Sequence, residues 1–185
     1  MKDPNEEPEA RAARRQAGME AVIDHFQTPL LRYAARLLNN ATLAQDAVQN
    51  AMVKLFRQWQ PGMCPDERLK NWLFRVVHNE AVDLIRTEER RRRHQDGHVA
   101  LVMAETGGGL YEDPWPDERA AVVTKCLGVL TPAQRQVVLL RLQQGMSYEE
   151  IGAVTGQTTG CVGALLHAAV IRLSGEVRKM EGGAR

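Results

Sequence analysis

The side chains able to make or break bonds are few in this chain, and their spacing argues against catalysis. Cys64, Cys126 and Cys161 are odd in number and far apart, and no CxxC pair occurs. A disulfide framework and a zinc knuckle are therefore both disfavoured, and a reduced, cytosolic compartment is expected. His94 and His98 stand four apart, a spacing at which two imidazoles on one helix share a metal, but Gly97 lies between them and no third ligand is near. No metal and no cofactor are expected. There is no glycine-rich phosphate loop, no GxSxG and no evident carboxylate pair. Asp46, Asp83 and the other acids fall on helical patterns, where solvated charge is the ordinary reading. The sequence points away from an enzyme.

What remains is chemistry for a polyanion. In RLKNWLFRVVHNEAVDLIRTEERRRR, residues 68–93, Leu69, Trp72, Leu73, Val76, Val77, Ala81, Leu84 and Ile85 recur at threes and fours, the period of a helix with one buried face. Arg68, Asn71, Arg75, Asn79, Asp83 and Arg86 largely share the other side, and Arg90 to Arg93 close the stretch. From Arg86 to Arg93 five arginines stand against Glu88 and Glu89, whereas every ionisable residue from Glu105 to Glu118 is acidic. The net charge of +1 hides this segregation. An arginine run also fits a solvated helix end, where it complements the helix dipole by only about 0.3–1 kcal/mol.

The elements that position these residues read as helices throughout, with no convincing strand alternation. Residues 1–18 are polar, carry Pro4 and Pro8, and are expected to be a disordered or frayed arm. An apolar pattern then runs from Met19 to Leu38, with a kink or restart expected at Pro29 because a proline inside a helix costs about 3 kcal/mol. Thr42 stands three before Gln45, a capping-box spacing for a second helix with Ala47, Val48, Ala51, Met52, Leu55 and Phe56 inward. Asp66 is the expected N-cap of the long third helix. Residues 94–117, with a triple glycine and two prolines, read as an acidic linker. Helical periodicity returns near Glu118, and Thr131-Pro132 opens a helix holding Val137, Val138, Leu140 and Leu142 up to Gly145. Ser147 to Glu150 is another capping box, Gly156 breaks the short helix it starts, and a last helix begins near Thr158 or Thr159. The fold class is all-α: two small helical domains, 19–93 and 118–185, joined by a flexible linker, the second containing a helix-turn-helix. No apolar run approaches the roughly 20 residues of a bilayer span, so no membrane insertion is expected.

Together these pieces resemble an extracytoplasmic-function sigma factor, the compact two-domain class of bacterial promoter-recognition subunits. LLRYAARLLNNATLAQDAVQNAMVKLFRQW is similar to the family's first conserved region, and RLKNWLFRVVHNEAVDLIR to its Trp-Leu…Asn…Asp-x-x-Arg helix. LTPAQRQVVLLRLQQGMSYEEIGAVTG and GCVGALLHAAVIRL resemble the opening and the recognition helix of its second domain.

The resemblance implies partners and roles. Asp46, Gln49 and Asn50 would face the clamp of core RNA polymerase. Trp72, Arg75, Asn79, Asp83, Arg86, Arg90 and Arg91 would serve single-stranded minus-ten DNA, with the loop 60–67 capturing an unstacked base. Ser147, Tyr148, Gln157, Thr158, Thr159, His167 and Arg172 would serve the duplex minus-thirty-five element. An anti-sigma factor is an implied partner. The family's recognition helix usually reads Gly-Thr-Val-Lys/Arg-Ser-Arg, where this chain has Gly160, Cys161, Val162, Gly163, Ala164 and Leu165. The arginine and lysine contacts that specify bases and phosphates are thus missing there, and Leu165, Leu166, Ala169 and Val170 suit burial against another protein. A sigma-like interaction protein that binds a partner without reading the minus-thirty-five element is the alternative on the same residues.

Overall fold

The structure, a computed structural model, describes residues 8–60, 62–95 and 118–182, and its regular elements are all helical. Helix α1 (Pro8–Leu38) buries Val22, Phe26, Leu30, Tyr33, Ala34 and Leu37, the three-and-four stripe of its sequence. It starts well before Gly18, so residues 8–18, expected as a frayed arm, are helix instead. Residues 12–17 are exposed, as their polar composition suits. Gly18 lets Trp59 close in, since a Cβ there would sit 3.0 Å from Trp59 Cζ2. Arg15 donates to the Phe56 carbonyl (3.3 Å) and its guanidinium lies 5.1 Å from the Phe56 ring centroid. Nor does α1 restart at Pro29, which lies inside it. Burial of Phe26 and Leu30 on either side holds the helix together there.

Asn39 takes the left-handed conformation (φ 51°) that turns the chain. Asn40, not Thr42, caps helix α2 (Ala41–Gln58), its side chain accepting from Leu43 N at 3.0 Å. Asn is the stronger capper, and its extended backbone (φ −152°) suits the position. Ala44, Ala47, Val48, Ala51 and Leu55 point inward, while Phe56, expected inside, is 58% exposed beneath Arg15.

Helix α3 (Glu67–Gln95) starts where Asp66 Oδ1 accepts from Leu69 N at 2.7 Å. Its buried stripe is Leu69, Leu73, Phe74, Val77, His78 and Ala81. That is slightly rotated from the expected one, leaving Trp72 and Val76 half-buried.

The second unit opens with α4 (Glu118–Gly128) and α5 (Pro132–Val138), the latter started by a Thr131/Gln134 capping box. A π-helical segment, Leu139–Gln143, continues α5. Its wider turn shifts the register of the residues after it, which is why Leu142, expected inward, is 76% exposed. Arg141 Nη1 donates to the Met146 carbonyl at 2.8 Å across the turn at Gly145 (φ 68°). Helix α6 (Tyr148–Thr155) has the Ser147/Glu150 capping box and ends on Gly156 in the left-handed conformation, and α7 (Thr159–Gly182) follows.

The two units pack on each other. One apolar cluster runs from α1–α3 into α5–α7; α3 lies against α6 and α1 against the π-helical segment. Thr159–Met180 of α7 is long and apolar enough by composition to span a bilayer, contrary to the expectation that no run approaches that length. Its Val162 and Ala169 are nonetheless buried in the helix-turn-helix core, and Arg172, Glu176, Arg178 and Lys179 interrupt its outer surface.

Candidate nucleic-acid interface and the junction beside it

The loop between α2 and α3 exists because Pro65 and Gly62 (φ 91°) prevent helix there. It forms one wall of a cleft of about 680 Å³. Gln60, Gly62, Met63, Cys64 and Asp66 come from the loop side, Leu55 and Gln58 from α2, and Arg68, Leu69, Asn71, Trp72 and Arg75 from the first turns of α3. The cleft therefore combines a half-buried indole, apolar floor residues, amide edges and two arginines against one carboxylate. That set suits a flat, polar-edged, anion-linked group such as an unstacked nucleotide.

Of the residues expected at minus-ten DNA, Trp72 and Arg75 line this cleft; Asn79 and Asp83 do not. Those two are exposed farther along α3 with Arg86, Arg90 and Arg91, on the solvent face that begins at Arg75. Asp83 and Arg86 pair at 3.7 Å on the surface. Gln60 lines the cleft as part of the loop 60–67 expected there, whereas sequence patterning gives Asn71 and Arg68 no site role, because helical periodicity ranks residues by face and cannot say which turn a loop folds over.

Asp46, Gln49 and Asn50 lie together on the exposed face of α2. Asn50 Nδ2 donates to Glu80 Oε2 at 3.2 Å, and Lys54 Nζ contacts the other oxygen of Glu80, so this patch is tied to α3.

In the second unit, Thr158 is exposed just before α7, its Oγ1 accepting from Cys161 N at 3.3 Å, and Thr159 and His167 are exposed on the first half of the helix. Ser147 Oγ is used in capping, accepting from Glu150 N at 3.2 Å. Tyr148, 41% exposed, lies under the Arg141 guanidinium at 5.6 Å. Arg172 Nη1 donates to the Val129 carbonyl at 3.4 Å, and Gln157 is half-buried with its Oε1 shut away from any partner. Val170 (58%) and Ile171 (61%) stand out into solvent.

The junction joins the cleft to the helix-turn-helix. Asn71 Nδ2 donates to Glu150 Oε1 at 2.9 Å, while Glu150 Oε2 accepts from Ser147 N at 2.8 Å. The Asn71 amide, then the Ser147 backbone and side chain and the nearby Lys70 charge, hold the Glu150 carboxyl below its usual range against the opposing effect of burial. Among the described residues no group of three His, Cys, Asp or Glu side chains is placed to hold a metal; His98 lies outside them.

Two family models match the chain: sigma-70 region 2 over residues 22–91 and sigma-70 region 4 over residues 120–173. An RNA polymerase sigma-E factor of Streptomyces avermitilis is 36% identical over 169 residues, covering 90% of this chain and 88% of that protein. The ECF RNA polymerase sigma factor SigL of Mycobacterium tuberculosis is 32% identical, covering 86% of this chain and 88% of its own. The solved sigma factor RpoE of Bartonella quintana, in complex with the anti-sigma factor NepR, superposes with a TM-score of 0.60 at 26% identity, covering 85% of this chain and 98% of its own. CnrH in complex with the cytosolic domain of CnrY shares the fold, at a TM-score of 0.60 and 23% identity over 91% of this chain and 95% of its own.

Proposed function

The chain belongs to the extracytoplasmic-function sigma factors of bacterial RNA polymerase, and from that premise we propose how its surfaces divide the work of promoter recognition. It directs core polymerase to a restricted set of promoters and assists their melting. It makes and breaks no bond itself, and it acts in the cytoplasm, where the polymerase works.

The observation that carries the residue assignment is the cleft at the start of α3, continuous with a solvent face that carries Arg75, Arg86, Arg90 and Arg91. An unstacked base of the non-template minus-ten strand enters the cleft and stacks on Trp72, with Gln60 and Asn71 offering hydrogen-bonding edges. The arginines follow the phosphates of the same strand, and Asn79 and Asp83 meet the next bases along α3. Asp46, Gln49 and Asn50 engage the polymerase clamp through short polar side chains, which suit a protein surface better than phosphate.

The second domain reads the upstream element weakly. Thr159 and the first turn of α7 can approach phosphates, His167 a base edge, and no lysine or arginine stands between Thr158 and Ile171. Ser147, Tyr148, Gln157 and Arg172 hold the unit in shape as much as they face DNA. The exposed Val170, Ile171 and Val177 of α7 are the surface on which an anti-sigma factor would seat.

Run-off transcription with purified core polymerase on a promoter library tests this reading. Initiation from a subset of promoters sharing a minus-ten motif is the expected result. Binding to core polymerase without initiation would favour an interaction protein, and no complex at all would end the sigma-factor assignment.

A further inference from the structure

Asn71 belongs to two sites at once. It lines the cleft of the first domain, and it donates across the junction to Glu150 of the second at 2.9 Å. Its remaining polar atom, Oδ1, is shut away without a hydrogen-bond partner. A half-satisfied carboxamide in a polar cleft is an unusual way to leave a buried group, since an unpaired acceptor loses its solvation for nothing. Glu150 is engaged on both oxygens, one capping α6 through Ser147 N at 2.8 Å and the other holding Asn71. Lys70, next in sequence to Asn71, adds a favourable charge to the same carboxylate. The bond is thus the polar fastener of a junction in which α6, the first helix of the helix-turn-helix, lies along α3.

Resting on the reading of the cleft as a nucleobase site, we propose that Glu150 and the captured minus-ten base compete for the Asn71 amide. In the closed chain Glu150 takes one of the two Nδ2 hydrogens and fixes the amide with its acceptor shut away. When the domains part, the whole amide edge turns to the base, where a paired donor and acceptor match the edge of an adenine or, with the amide rotated, another base. The closed arrangement therefore restrains the free protein, and Asn71 is both its catch and a determinant of which base is chosen.

Two measurements on the full chain test this. Spin labels on the exposed Cys64 and Cys161, with the half-buried Cys126 changed to Ser, report the distance between the domains. The wild type is expected to show one short population. Asn71→Asp sets two carboxylates face to face and should move the distribution to longer distances. Adding Glu150→Gln restores a donor facing an acceptor while keeping the cap to Ser147, and should bring the short distance back. In parallel, unlabelled chain is assembled with core polymerase and selected on promoter fragments randomised across the minus-ten element. Asn71→Ala should reduce the preference at the captured position at least tenfold and leave the flanking positions as in wild type. An unchanged distance in Asn71→Asp, or no rescue by the second substitution, overturns the catch; an unchanged base preference in Asn71→Ala overturns the sharing. Failure of wild type to bind core polymerase would instead defeat the sigma-factor assignment, and the distances would still judge the catch.

Discussion

The hydroxyl of Tyr33 on α1 and Nδ1 of His78 on α3 lie 2.9 Å apart in the first-domain core, in a hydrogen bond whose direction follows the imidazole tautomer. Tyr33 also meets Phe74 edge to face at 5.5 Å. Burial raises the phenol, so Tyr33 stays protonated. Burial first, and the Arg86 charge second, push the imidazole down to about 4 from its ordinary 6.5.

That depression has a consequence for stability. Between about 4 and 6.5 the unfolded chain binds a proton that the folded chain refuses. Stability from this group is whole above 6.5 and is lost as pH falls through the window, with no further loss below about 4. The total is on the order of 3 kcal/mol. Urea denaturation at neutral pH and near the bottom of the window should show the loss in wild type and a much smaller one in His78→Leu. Equal losses in both proteins would show that other groups set the acid sensitivity.

Among the glycines of the helix-turn-helix, Gly152 has the least room for a side chain. A Cβ there would lie 2.6 Å from the Gln157 carbonyl oxygen, a backbone atom that cannot swing aside. Gly152→Ala should cost about 1–3 kcal/mol, the usual range for overpacking, and should displace α7 relative to α6. Thermal unfolding reads the cost. A melting point at or above wild type would mean that the turn yields freely.

The exposed arginines at the end of α3 should reveal themselves through salt. If Arg90 and Arg91 neutralise phosphates, replacing both with Ala lowers the slope of log K against log salt by about 0.7 per contact on single-stranded DNA. Holoenzyme binding to a minus-ten single strand across a salt series measures it. An unaltered slope would leave both as solvated ends of the helix.

Trp72 lines the cleft and, on the proposed reading, is its stacking surface. Trp72→Ala should weaken capture of the unstacked base by about 1–3 kcal/mol, slowing open-complex formation while leaving assembly with core polymerase intact, because the patch proposed to face the clamp lies on α2. Permanganate footprinting of thymines in the melted region reports the former and co-sedimentation the latter. Loss of both together would mean that Trp72 mainly supports the fold, since its indole is half-buried against the core.

Much of this architecture follows from local chemistry. The caps at Asp66, Thr131 and Ser147 each formed as the spacing predicts, because a cap depends only on residues within one turn. The helical stripes of α1 and α3, the helix-turn-helix and the family itself are likewise written in short-range order. Several failures of local reading trace to a distant contact. Pro29 did not break α1, Phe56 turned outward beneath Arg15, and residues 8–18 became helix beside Trp59. Leu142 was displaced by a π-helical turn that periodicity at 3.6 residues cannot foresee.

The sequence alone determined an all-α chain with a basic helix, a helix-turn-helix and the motifs of its family. Only the tertiary structure decided which of those residues share a cleft, and that Asn71 and Glu150, 79 positions apart, share a hydrogen bond. Periodicity orders side chains around one helix axis. The packing of α6 along α3 is a property of two surfaces together, and no spacing within either helix records it.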